Sequence, residues 1–188
     1  GPGKASDKAD GLIYQYGETL TLDDIRRVRD NQVLGLSVHL PGSLETAIPF
    51  ALEGNFDVLV LDGTLAMHTT WPELIQNPDL TVVRDAVRVL RSLRREGDID
   101  LFYFGGARSG SDAAKLIAMG CTGVVYSVSL GLAMGGKITD KHQLEFSYDR
   151  DNDDRAKAVE NLLKSAAAEA SMMARCTGKT NLHNLEPE

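Results

Sequence analysis

Four stretches of strand length are hydrophobic at nearly every position, with helical segments between them: Val33 to Leu40, Phe56 to Leu61, Ile99 to Phe104 and Gly123 to Ser129. A strand with one face in water alternates apolar and polar residues. Runs such as Val58-Leu59-Val60-Leu61 and Leu101-Phe102-Tyr103-Phe104 do not alternate, the pattern of parallel strands covered on both faces. The intervening segments supply the cover. Ser43 to Glu53 opens with a capping residue, and Leu80 to Arg95 carries Val83, Val87, Leu90 and Leu93 on one stripe. The arginines at 84, 88, 91, 94 and 95 fall opposite that stripe as a solvated face. Ser111 to Met119 is a shorter helix, with Ser109, Ser111 or Asp112 to cap it and Gly120 to stop it.

This order leaves two architectures: an open doubly wound sheet, or the second half of a (β/α)8 barrel, since a whole barrel takes about 250 residues. The barrel half is the expectation, with a long C-terminal helix added. The chain then divides into an N-terminal segment (1–32), four βα units (33–136), a loop (137–153) and a closing helix and tail (154–188). In the closing helix Ala156, Val159, Leu162, Leu163, Ala166 and Ala170 form the apolar stripe, and Asp151, Asp153 and Asp154 suit its positive end. Thr21 to Ile25 looks like a helix start, and the residues before Thr19 show no firm pattern. The abrupt start at Gly1 and stop at Glu188 are expected of a portion of a longer polypeptide. A half barrel leaves sheet edges bare, so a protein partner or a second copy is expected over the open half.

Charge and cysteine usage narrow the function. Twenty Lys and Arg against 27 Asp and Glu give a net charge of −7, the wrong sign for binding nucleic acid along a groove. No apolar run is long enough for a spanning helix and the first residues are polar, so no membrane is expected and the cytoplasm is the default. Cys121 and Cys176 lie far apart, without metal-ligand spacing, and the four histidines show none either.

The chemical signal is the stretch from Phe104 to Lys115, Phe-Gly-Gly-Ala-Arg-Ser-Gly-Ser-Asp-Ala-Ala-Lys. Two glycines after a buried strand let backbone approach a ligand, and the free amides of the next helix lie close by. Together they read as an anion cup, with Arg108 as a clamp and Ser127, at the end of the neighbouring strand, on its other wall. The alternative is a tight turn in which Gly105 and Gly106 serve geometry alone. His39 at a strand end reads as a general base, a ligand contact or a core histidine, and His68 similarly. Asp62 is a loop cap or a site residue. Trp71 before Pro72 reads as a packed lid or an interface anchor, and His142 and His183 as surface residues.

Gly105 to Lys115, Ala118-Met119-Gly120 and the strand at Val124 resemble the phosphate-binding end of FMN-dependent barrels. Val58 to Gly63, Gly131 to Gly135 and the tail from Met172 to Leu185 resemble the FMN-binding domain of the glutamate synthase family more closely, from about Val33 to Glu188. The resemblance implies FMN as cofactor, its phosphate held by Gly105, Gly106, Arg108 and Ser127, with Ser37 to Leu40 facing the ring. It also implies an oxidoreductase acting on a small amino-acid or imine substrate. Three departures stand beside it. His39 replaces the family's lysine, Ala66-Met67-His68-Thr69 replaces its Gly-Gly-Thr-Gly segment, and 135–148 lacks the three cysteines of its iron-sulfur cluster. His39, Asp62 and His68 are therefore the candidate catalytic residues, and no iron-sulfur cluster is expected. A degenerate, non-catalytic relative serving as a binding or assembly subunit is the second reading, and an enzyme for another phosphate ligand the third.

Overall fold

The computed structural model describes residues 8–27, 29–39, 43–64, 70–146 and 151–185. One parallel sheet carries five strands in chain order: β1 (Gly11–Gln15), β2 (Val33–Val38), β3 (Val58–Asp62), β4 (Asp100–Ala107) and β5 (Gly123–Tyr126). Between them run α1 (Leu44–Glu53), α2 (Thr81–Leu93) and α3 (Gly110–Ala118). Right-handed crossovers that always step to the next strand on the same side leave every helix on one face. A doubly wound sheet reverses its strand order, and this one does not. The architecture is therefore a run of consecutive βα units from a (β/α)8 barrel, closed at its C-terminal end by the long helix α5 (Asn152–Cys176).

The core lies between the sheet and its helices. Leu34, Leu36, Val38, Leu59, Leu61, Leu101 and Tyr103 are at most 3% exposed and meet Ala47, Ile48, Ala51, Val82, Val83, Ala86 and Leu90. Burial on both faces, expected from the apolar runs, holds for this face alone. The alternate residues Val33, Val58, Val60, Phe102, Phe104 and Val125 line an open apolar concavity of about 470 Å³ with Ile13 and Ser37. Their hydrophobicity is that of a barrel interior, whose opposite wall is not among the described residues.

Four features differ from the sequence expectation. β1 lies in the segment without a firm pattern: Tyr14 meets Phe56 edge-on at 6.0 Å and Tyr16 meets Phe50 at 5.6 Å, while Ile13, just before Tyr14, is 70% exposed. The Arg29 and Gln32 side chains fix its start, each donating to the Ala9 carbonyl at 2.7 Å. Gly105 and Gly106 do not follow β4 but lie within it, at φ +152° and +72°, where the register with β5 shifts between Phe104 and Ala107. They form a bulge. Next, β5 stops at Tyr126, and the residues expected to extend it form the short helix α4 (Val128–Ala133). Finally, the expected loop holds an antiparallel hairpin of β6 (Gly136–Ile138) and β7 (Leu144–Phe146).

The helix ends follow local chemistry. Ser109 caps α3 by accepting from the Asp112 amide at 3.2 Å, and Asp151 caps α5 by accepting from the Asp154 amide at 2.8 Å. The buried stripe of α5 is narrower than expected and consists of Ala166, Ala170 and Ala174, with Leu163 left 45% exposed. On α2 the arginine face is solvated, and Arg84 pairs with Asp85 at 2.9 Å. No helix among the described residues is long and apolar enough to cross a membrane.

Candidate functional site

The C-terminal ends of β3, β4 and β5 share one rim, and residues 71–79 cross it as a strap. The Asp79 amide donates to Gly63 at 2.8 Å, the Gln76 side chain to the Thr64 carbonyl at 3.3 Å, and the Tyr103 hydroxyl to the Asp79 carbonyl at 3.3 Å. Burial, with the Asp79 charge added to it, raises the Tyr103 phenol above its ordinary pKa of 10.0, so it stays a donor. Pro78 lies on the bulge. A Cβ at Gly105 would stand 2.9 Å from the Pro78 Cβ and 2.7 Å from the Tyr103 hydroxyl, and one at Gly106 would stand 3.1 Å from the Pro78 Cγ. Both positive φ values and the nearness of Pro78 and Tyr103 therefore select glycine here.

Several donors around the expected anion cup are taken by the chain's own carboxylates. Ser127 Oγ donates to Glu73 Oε1 at 2.6 Å. The Arg108 amide donates to Asp112 Oδ2 at 3.0 Å. The Gly110 amide donates to Glu169 Oε2 at 2.9 Å, and the Ser111 hydroxyl donates to Glu169 Oε1. These two bonds, the Ser111 hydroxyl foremost, hold the Glu169 carboxyl below its ordinary range. Glu73 Oε2 is buried without a partner. Beside the bulge lies a cavity of about 450 Å³, lined by Gly105, Gly106, Arg108, Lys115 and Pro78 among others. The exposed Arg108 guanidinium makes no ion pair among the described residues.

The Ser127 wall, as it stands, does not fit a flavin phosphate. A dianion at Ser127 would have to share the hydroxyl with Glu73, and like unit charges 4 Å apart repel by about 4 kcal/mol at an effective dielectric of 20. With Glu73 where it stands, a phosphate could take the Ser127 hydroxyl only by displacing that carboxylate.

The other candidate residues sit apart. Asp62 Oδ1 accepts from the Thr64 amide at 2.8 Å and its hydroxyl at 2.5 Å, which commits it to closing the turn after β3. His39 is half-buried just past β2, its Nδ1 2.9 Å from Gln15 Nε2. Two strand spacings, roughly 10 Å, separate β2 from β4. Ser37 lies on the apolar concavity, opposite Gln15 in the register with β1. His68 lies outside the described residues. Among the described residues no group of three or more His, Cys, Asp or Glu is placed to hold a metal ion.

Glu73, Pro78 and Glu169 are the residues that sequence reasoning did not reach. Trp71-Pro72 announced a packed lid, yet nothing local told which strand end the next carboxylate would meet.

An unbroken strand order, helices on one side and an apolar inner face define a portion of a (β/α)8 barrel. No protein-family model matches the sequence. The glutamate synthase large subunit-like protein of Rhizobium meliloti is 31% identical over 170 residues, covering 73% of this chain and 38% of that one. An L-lactate dehydrogenase of Pseudomonas syringae is 25% identical, with 98% of this chain and 42% of that one aligned. Among solved structures, the flavin-binding domain of baker's yeast flavocytochrome b2 superposes with a TM-score of 0.55 at 18% identity, over 81% of this chain and 33% of that one. Mandelate oxidase gives 0.50 at 14% identity, over 81% and 36%. The chain is thus similar over most of its length to a glutamate synthase large subunit-like protein and has the fold of part of a (β/α)8 barrel, and it spans between a third and about two fifths of the length of these relatives.

Proposed function

We propose that the chain works as a binding and assembly component: a half barrel that completes a (β/α)8 barrel with three further βα units. The open concave face carries this reading. Val33, Val58, Val60, Phe102, Phe104 and Val125 present an apolar surface, and among the described residues β1 and β5 each leave one edge without a strand partner in the sheet. Five strands need three more to close an eight-stranded barrel, whereas a second copy would bring ten. The test places a photo-reactive benzoylphenylalanine at Val60 in the native host. Cross-links to a segment that forms further βα units are expected; cross-links between copies of the same peptide, or none, would overturn the proposal.

A second reading follows from the 31% identity to the glutamate synthase large subunit-like protein: an FMN oxidoreductase acting on an amino acid or imine. In such a site the flavin carries the redox chemistry and the protein positions it. Flavin absorption bands in the purified protein, bleached on adding amino acid, are the result that would favour this reading over assembly alone.

A further inference from the structure

Residues 84–95 hold five arginines and one carboxylate, in a chain whose net charge is −7. On α2, Arg84, Arg88 and Arg91 follow the i, i+4, i+7 spacing that sets side chains on one line of a helix. The line lies away from Val83, Ala86 and Leu90, which are buried against the sheet. Arg84 and Arg88 share the Asp85 carboxylate at 2.9 and 3.9 Å, and their side chains are 60% and 72% exposed. Beside the last turns of α2 opens a cavity of about 490 Å³, to which α3 and the tail around Leu182–Asn184 also contribute. Leu90, Leu101 and Ile117 line it from the core, Val87 and Leu185 from nearer the surface, and Arg91, Glu96 and His183 are its charged and titratable residues.

We propose that α2 and this cavity form a docking site for an acidic amphipathic helix of a partner protein. Its carboxylates meet Arg84, Arg88 and Arg91, whose forked guanidinium groups hold carboxylates by paired hydrogen bonds. Its apolar side enters the cavity, as helices do in apolar grooves. Charge complementarity selects this occupant: a chain of net charge −7 repels an acidic partner over most of its surface and draws it to the arginines. Glu96 fixes the orientation, because it repels carboxylates from the cavity and leaves them the α2 side. The face lies outside the barrel, on the helix-covered side of the sheet, so it stays open whether or not further βα units close the concavity. The proposal is therefore independent of barrel completion.

Fluorescence anisotropy would follow a labelled synthetic helix of about 18 residues, with leucines on one face and glutamates on the other, titrated with the full chain. Two companion peptides carry lysine for the glutamates or serine for the leucines. The acidic amphipathic peptide is expected to bind, more weakly as salt screens the arginines, and both companions at least about tenfold more weakly. Arg88→Glu with Arg91→Glu is expected to lose at least about tenfold in affinity, and Arg88→Glu alone, at an exposed position, part of that. Leu185→Ser should weaken binding yet keep its salt dependence, and Lys141→Glu on the β6–β7 turn should bind as wild type does. Circular dichroism would confirm that each variant is folded. Failure of the acidic peptide to bind wild type, or equal binding by the arginine variants, would overturn the proposal. So would tighter binding of single-stranded RNA or of anionic lipid vesicles through the same arginines, or self-association of the chain that Arg88→Glu abolishes, which would give the face to a second copy.

Discussion

At Glu169 one side chain joins two helices that lie far apart in the chain. Its carboxylate accepts from Gly110 and Ser111, 59 and 58 residues away. Both bonds favour the charged form and lower its pKa from the ordinary 4.5. A carboxyl that is more acidic folded than unfolded adds stability above its unfolded pKa and loses it as the pH falls through the folded value. The contact between α3 and α5 is therefore expected to weaken progressively below about pH 4.5. Glu169→Gln should be less stable than wild type at neutral pH and should close that gap in acid; a constant gap across a series of melts would show that the charge contributes nothing. The Ser109 cap on the same helix was readable in the sequence because donor and acceptor stand three residues apart. Glu169 was not, because nothing near it in the chain specifies its partners.

The same helix pair shows how close packing rests on one small residue. A Cβ at Gly110 would run into the Ala166 carbonyl oxygen and stand 2.7 Å from the Ala170 amide nitrogen. Both obstacles are backbone, so α5 as a whole must move. Gly110→Ala is expected to cost about 1–3 kcal/mol. Gly97→Ala, where nothing lies within 4 Å, should stay within about 0.5 kcal/mol of wild type. Chemical denaturation of the two variants checks the contrast. Among the elements, β2, β3 and β4 were legible because runs such as Val58-Leu59-Val60-Leu61 permit little else. β1 was not, since Gly-Leu-Ile-Tyr-Gln is short and ends in a polar residue, and its anchors, Arg29 and Gln32, lie well downstream. Gly105-Gly106 has the appearance of a strand end, and only the register with β5 reveals a bulge.

The molecule as a whole is a sheet with two unlike apolar faces. Leu59 and Val60 are adjacent in β3 and equally hydrophobic, yet Leu59 is fully buried under the helices while Val60 faces the open concavity. Composition cannot separate them, because a barrel interior and a helix-covered face ask for the same residues. Charge substitution can. Leu59→Lys puts an unpaired ammonium into a sealed core and is expected to cost on the order of 4 kcal/mol or more, enough to unfold a marginal chain. Val60→Lys puts the same charge where solvent already reaches, so the isolated chain should stay folded and melt near wild type. What it should lose is assembly: with three βα units covering that face, the lysine would be trapped in a barrel interior without a partner. Thermal melts of the isolated variants, set beside sedimentation of each in the native assembly, separate the two roles. A Val60→Lys chain that assembles as well as wild type would show that the concave face stays in water.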